Sequence, residues 1–468
     1  MKDNVKPLNT FAGLCAEAEA IRLRYGNQLS DRIVADVYAN AESIARKVVT
    51  SPATDKSYWD NKLDDILTSR IFGYPIMLIL LSLVFWITIE GANVPSAMLA
   101  TALFSFQDQL TVWFQAAGAP DWLHGILVLG LYRALAWVIA VMLPPMAIFF
   151  PLFTLLEDLG YLPRVAFNLD NLFKKCKACG KQILTMCMGF GCNAAGIVSC
   201  RIIDSPRERL IAILTNNFVP CNGRFPTLIA IATIFVGGAL TPQYETAVVT
   251  VFMASLVMLG IAITFVTSWL LSHTILKGEA SSMVLELPPY RKPNIGAVIY
   301  RSMIDRTFFV LRRAVLMAAP AGAITWLFAN LYIGELSILQ HLAGGLQPVA
   351  YAIGLDGYIL LAFILGLPAN EIVVPILLMS YLSIGHMIEL DELSQLRQVL
   401  ISHGWTWLTA LNTMLFCLLH WPCTTALLSA YKESGSAKWT FLTFLLPTIV
   451  GFAVCFIVAQ TARALGLV

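Results

Sequence analysis

Charge is what this sequence has least of. Only 13% of its 468 residues are Asp, Glu, Lys or Arg, against 58% hydrophobic, and the mean hydropathy is +0.72. Soluble globular chains carry about 25% charged residues, so a water-soluble fold is excluded and the lipid bilayer is the expected solvent. The net charge of +2 offers no electrostatic footprint for nucleic acid. An early apolar stretch with a small-residue cleavage site is also missing, so the polar N-terminus is expected to stay in the cytoplasm of a bacterial inner-membrane protein. No G-x-x-x-x-G-K-[ST], H-E-x-x-H or G-x-S-x-G occurs. A P-loop, a zinc protease and a serine hydrolase therefore lack motif support, and the chain is not expected to be an enzyme. Ten cysteines are present, mostly in or beside apolar runs, where free thiols are expected rather than disulfides.

What is present is long apolar runs. Residues 1–68 read as a cytoplasmic helical segment: Leu14, Ala18, Ile21 and Tyr25, then Ile33, Val37, Ile44 and Val48, recur at helical spacing among charges. A membrane region, 69–468, opens after Arg70 with a first span from Ile71 to about Ile89. Further runs lie near 124–156, 183–200, 208–238, 246–273, 310–334, 340–384, 405–430 and 439–466. Several exceed one crossing or are interrupted, which predicts an all-α polytopic fold with about eight to eleven spans. The interruptions are Leu143-Pro144-Pro145, Gly189 to Asn193, Asn216 to Arg224, and Gly366 to Glu371. Unwound backbone at membrane depth survives only beside protein or a water-filled cavity, so these breaks outline a pathway. Basic clusters at Lys174 to Lys181, Arg201 to Arg209, Arg291 to Arg313, and Lys432 with Lys438 mark cytoplasmic loops, although 291–313 fits a helix lying flat on the surface equally well.

The chain also repeats itself. Gly180-x8-Gly189-x3-Asn193 and Gly357-x8-Gly366-x3-Asn370 share spacing and apolar filling 177 residues apart. Paired, Gly-interrupted apolar segments are the sequence sign of a transporter site built between two halves. A first repeat of about 144–240, a second of about 310–385 and C-terminal spans at 405–466 follow from this.

Ionisable groups inside apolar runs are costly, and each is a candidate for function. Glu371 follows the last break directly, and burial there demands a partner or a cation. For Glu157 and Asp158 a solvated helix end explains the charge as well as a functional role does, and Arg133 and Arg164 are expected to snorkel or pair with them. Cys192 beside Asn193, Cys221 after Pro220, and Cys423 after Pro422 each stand at a break. Thiol, amide and carboxylate together suit a first-row divalent ion better than Mg²⁺ or Ca²⁺. The candidate metal-contacting set is thus Cys192, Asn193, Cys221, Asn370, Glu371 and Cys423. Cys176-x-x-Cys179 lacks a second pair and reads as surface thiols; Met186, Cys187 and Met188, and likewise His403 and His420, read as packing.

Four stretches resemble the membrane domain of ferrous iron transport protein B (FeoB), with its two Gate segments. They are Leu155-Leu156-Glu157-Asp158-Leu159-Gly160-Tyr161-Leu162-Pro163-Arg164; Gly189-Phe190-Gly191-Cys192-Asn193 with Arg201; Arg209 through Pro220-Cys221-Asn222-Gly223-Arg224; and Pro422-Cys423 through Lys438-Trp439. The resemblance implies passage of Fe²⁺, with Cys192, Cys221 and Cys423 at the positions of the family's pathway cysteines. It further implies a separate GTPase and a small accessory protein as partners, since no GTPase motif lies in this sequence, with GTP acting only through the partner; a homo-oligomer is compatible with it. Three departures stand out: Asn370 where a lysine is usual, Asn193-Ala194-Ala195 for Asn-Val-Pro, and Asn222-Gly223-Arg224 after the second cysteine. They leave open another Gate-family solute such as a nucleoside, a manganese or other metal exporter, and a membrane scaffold that transports nothing.

Overall fold

The computed structural model describes residues 29–48, 62–69, 71–176, 179–239, 242–278, 290, 292–387 and 393–467, with 13, 15–17, 19 and 20 besides. The expected apolar stripe of Leu14, Ala18, Ile21 and Tyr25 lies outside the described residues. Its continuation forms α1 (Leu29–Val48), whose Ile33, Val37, Ile44 and Val48 are exposed.

The described residues are almost wholly helical, apart from one two-residue hairpin, Tyr332–Ile333 against Leu336–Ser337, turned by Gly334 at φ +70°. Among the described residues seven helices are long and apolar enough to cross a membrane, or eight if a bent pair counts as one span. They include α2 (Gly73–Ala116), α3 (Asp121–Asp158), α9 (Pro242–His273), α10 (Ile295–Asn330) and α17 (Ala437–Ala464). Between them lie short half-length helices: α4 (Tyr161–Lys175), α5 (Gln182–Gly191), α6 (Asn193–Ser199), α7 (Pro206–Thr215), α8 (Phe225–Phe235), α11 (Ile338–Ala352), α12 (Gly357–Leu365), α13 (Val373–Leu382), α14 (Leu393–Ser402), α15 (Trp407–Leu419) and α16 (Thr424–Ser434). The bent pair is α11 and α12, turned by 109°. Asp356 accepts a bond from the Ile359 backbone N–H at 2.6 Å and so caps the new helix.

The structure departs from the sequence reading at three places. The first span does not stop near Ile89: α2 continues for 44 residues, carrying Glu90 exposed and Pro95 inside the helix. No break occurs at Leu143-Pro144-Pro145, for α3 runs on through Pro144, Pro145 and Pro151. Proline removes one backbone bond each time, and neighbouring helices tolerate the resulting bend without unwinding. The stretch 295–313 is not a separate surface helix but the first part of α10.

Charges at the expected helix ends find partners other than those anticipated. Arg164, 1% exposed, pairs with Asp64 at 3.0 Å, while Glu157 pairs with Arg306 at 2.9 Å. Arg133 sits 5.7 Å from the ring of Phe104. The Arg164 guanidinium also covers the Tyr290 ring at 4.2 Å, and the Tyr290 hydroxyl donates to Asp64 at 2.7 Å. This triad fastens the segment at 62–67 to α4, helped by Asn168, which donates to the Leu67 carbonyl at 2.7 Å. Partial burial works to raise the pKa of Asp64, but the bonds from Arg164 and Tyr290 outweigh it, and the carboxyl is held below its ordinary value.

Asp64→Asn is expected to lower unfolding stability by about 1 to 3 kcal/mol, because it removes the carboxylate charge paired with a buried guanidinium. The Asp64 contribution is complete above the ~3.9 of an unfolded aspartate and disappears as pH falls through the depressed folded value. Thermal unfolding of the purified protein at pH 7 and at pH 3 checks both: the gap between wild type and variant should narrow at the lower pH.

Candidate functional site

Four of the half-length helices end where their partners begin. Helix α5 stops at Gly191 and α6 starts at Asn193; α7 gives way through Asn216 to Arg224 before α8; α12 yields to α13 across 366–372; α15 yields to α16 across His420 to Cys423. Residues 206–235 and 407–434 are each long and apolar enough for one crossing interrupted near its middle, while α5 and α12, of ten and nine residues, span about 14–15 Å, roughly half a hydrocarbon core of ~30 Å.

The repeat seen in the sequence has a backbone counterpart. Cys192 adopts φ −155°, ψ 124°, and Ala369, the residue 177 positions later, adopts φ −152°, ψ 119°. Each is extended, and each is followed by an asparagine that starts a helical turn. The other two breaks both read Pro-Cys, Pro220-Cys221 and Pro422-Cys423, and both cysteines are extended, with ψ 168° and 159°.

All six candidate residues line one enclosed cavity. Cys192, Asn193, Cys221, Asn370, Glu371 and Cys423 surround it with Met142 and Met146 of α3, and Val310 and Ala314 of α10. The room left is small, about 20 Å³ for the centre of a water-sized sphere, enough for one water or one bare ion. Glu371 reaches the cavity because Gly223 has no side chain: a Cβ there would stand 2.1 Å from Glu371 Oε1. Apart from its own backbone N–H, that carboxylate has no hydrogen-bonding partner among the described residues. The Glu371 carbonyl accepts a bond from Trp137 Nε1 at 3.3 Å. The donors line the space without yet closing on a common point: among the described residues no three His, Cys, Asp or Glu side chains are grouped to share one ion.

Behind the cavity lies a polar lattice that sequence reasoning missed. Arg224, fully buried, donates through Nη1 to the carbonyls of Asn217 at 2.8 Å and Leu418 at 2.9 Å. Through Nη2 it donates to Asn217 Oδ1 at 3.0 Å, the His420 carbonyl at 3.2 Å and the Trp421 carbonyl at 3.3 Å. One side chain thus satisfies the unwound carbonyl ends of α7 and α15, groups that would otherwise be orphaned. Asn217 Nδ2 joins in, donating to the His420 carbonyl at 2.6 Å, and Asn216 Nδ2 donates to the Asn193 carbonyl at 3.1 Å. His420, read as packing, does pack: its Nδ1 lies 2.9 Å from the Cys417 carbonyl, and its ring faces Phe363. Its Nε2, however, stands 3.3 Å from Asn370 Oδ1, so it also supports the cavity wall. The signal was available, since Asn216, Asn217, Arg224 and His420 are polar residues at the very breaks already identified.

The remaining sequence candidates lie elsewhere. His403 stacks on Tyr381 with ring centroids 4.3 Å apart. Met186 and Met188 pack in two apolar clusters. Cys179 is buried rather than at the surface, because the turn at Gly180 folds it beneath α4; all ten cysteines are free.

Two matched pairs of interrupted helices around one small cavity are the arrangement of a helical membrane protein built from internal repeats. The chain matches the Gate model, described as "Nucleoside recognition", over residues 139–235 and 311–437, and the model of the ferrous iron transport protein B C terminus over 253–305. It is 29% identical over 436 residues to the Fe(2+) transporter FeoB of Staphylococcus aureus strain COL, covering 90% of this chain and 62% of that protein. The Fe(2+) transporters FeoB of Methanocaldococcus jannaschii and of Synechocystis sp. are 26% and 27% identical over 92% and 94% of this chain. The chain is similar to these FeoB proteins over nine-tenths or more of its own length and spans 62% to 69% of theirs. No solved structure matches it.

Arg224→Gln is expected to cost about 3 kcal/mol or more of stability, since several buried carbonyls lose their donor at once. Arg224→Lys, which keeps the charge without the planar fork, should recover only part of that. Thermal unfolding in one detergent, with the three proteins side by side, gives the order.

Proposed function

We propose that the chain carries ferrous iron across the cytoplasmic membrane through the cavity between the four interrupted helices. The observation that supports this best is that three thiols, three amides and one carboxylate line a space the size of a single ion. Thiol and carboxylate ligands favour a borderline divalent ion over Mg²⁺ or Ca²⁺, and a site with spread rather than clustered donors suits transfer more than storage. The ion would shed water for Cys192, Cys221, Cys423 and Glu371, with Asn193 and Asn370 offering amide oxygens.

Rocking of one repeat against the other would open the cavity alternately to each side. Residues before about 69 would lie in the cytoplasm, with 69–468 as the transporting unit. A GTP-hydrolysing partner, an accessory protein and a homo-oligomer belong to this proposal as well. A nucleoside carrier is disfavoured, since a base needs an aromatic platform and far more room than about 20 Å³.

Fe²⁺ uptake into proteoliposomes, kept reduced with ascorbate, is the test. Cys192→Ser, Cys221→Ser and Glu371→Gln should each lower initial uptake about tenfold or more, and Gly223→Ala should do likewise by displacing the Glu371 carboxylate. Undiminished uptake in Glu371→Gln and Cys192→Ser together would remove the cavity from the pathway. The same vesicles with Mn²⁺ separate a ferrous path from a manganese path, and added partner with GTP measures the dependence on nucleotide.

A further inference from the structure

A second, larger cavity of about 550 Å³ opens beside the first and shares Val310 with it. Its lining is unlike the metal-contacting set. Arg201, Arg306, Arg312, Arg313 and Lys432 all face it, with Glu433 as the one carboxylate. Two of these cations are already answered: Arg201 holds Glu433 through two bonds of 2.7 Å, and Arg306 holds Glu157 at 2.9 Å. Arg313 donates to Ser429 Oγ at 3.0 Å and covers the Phe309 ring at 4.1 Å, an arrangement that fixes its guanidinium without neutralising it. Arg312 and Lys432 are exposed and have no carboxylate partner among the described residues.

Among the described residues Arg312 and Lys432 have no carboxylate partner and Arg313 shares Glu433 with Arg201, so positive charge is in excess at this cavity and a divalent cation is the wrong occupant for it. They are a favourable one for an oxyanion: guanidinium forks match phosphate oxygens, and an ammonium supplies the remaining point charge. The rim adds a second property, because Ile304, Phe308 and Phe309 stand exposed beside the arginines. Apolar side chains next to unpaired cations fit the boundary between headgroups and acyl chains.

We infer that this vestibule is a binding site for a phosphate-type oxyanion, held by Arg312, Arg313 and Lys432 at the mouth of the central cavity. The headgroup of an anionic phospholipid and a soluble phosphate supply the same chemistry. The exposed aromatic rim favours the lipid.

The claim concerns binding and is measured without transport. The purified full chain in a neutral detergent is titrated with short-chain phosphatidic acid by calorimetry, alone and in the presence of sodium pyrophosphate. Saturable binding at one equivalent is expected, weakening with salt. The double variant Arg312→Gln with Lys432→Gln should bind about tenfold or more weaker, Arg312→Lys, which keeps the charge without the fork, should fall between that variant and wild type, and Lys277→Gln, an exposed lysine outside the vestibule, should not differ. Competition by pyrophosphate assigns the site to soluble phosphates, and its absence assigns it to lipid. Failure of both probes to saturate, or equal binding by wild type and the double variant, overturns the site. So does an equal loss in Lys277→Gln.

Discussion

Hydrocarbon supplies no hydrogen bonds, and every interrupted helix in this protein must answer for the carbonyls and N–H groups it leaves open. The Arg224 fork meets that demand at two of the four interruptions. It reaches five acceptors on the ends of α7 and α15, which belong to different Gate segments, 139–235 and 311–437. The permanence of its charge is useful here, because a guanidinium cannot be neutralised to escape burial and must keep its acceptors. Without such a donor the unwound turns at Asn216 to Cys221 and His420 to Cys423 would be expensive, and the thiols they present would have no fixed positions.

That clamp also shapes the electrostatics of the cavity. Interrupted helices present both positive N-terminal and negative C-terminal ends. The negative ends of α7 and α15 are spent on Arg224, so they are not free to face an ion. Attraction for a cation must then come from side chains, and Glu371 is the one carboxylate in the cavity lining. Gly223 leaves the gap into which it reaches, and Gly223 directly precedes the arginine in sequence. The residue that gives space to the acid and the residue that binds the carbonyls are therefore placed by the same turn, Asn222–Arg224.

The interrupted helices were legible in the sequence because glycine and proline weaken a helix, and clusters of them with polar residues inside an apolar run mark where the backbone turns. Three identities across 177 residues were enough to match Cys192 with Ala369 in backbone conformation, although the second repeat holds an alanine where the first holds a thiol. Proline alone misled at Pro144 and Pro145, where a helix packed on several sides absorbs the lost bonds. Pairing of charges was not legible either. Arg164 meets Asp64 across 100 residues and Arg306 meets Glu157 across 149, and no periodicity reports on such contacts. The polar lattice was missed for a different reason: Asn217 and Arg224 serve backbone groups, whose needs appear only once the helices are known to stop.

Complementarity between the two Gate segments constrains how the cavity can change. Glu371 sits on the second segment and the gap that receives it on the first, while Arg224 sits on the first and binds Leu418, His420 and Trp421 on the second. A motion that separates the segments must withdraw the carboxylate and break charge-assisted bonds together. The gap that receives the carboxylate and the arginine of the clamp are adjacent residues of one turn, so a displacement of that turn acts on both. A cation bound to Glu371 would tie the acid more firmly to its surroundings and oppose that separation. In the proposed transport reading, occupancy of Glu371 would thereby oppose opening.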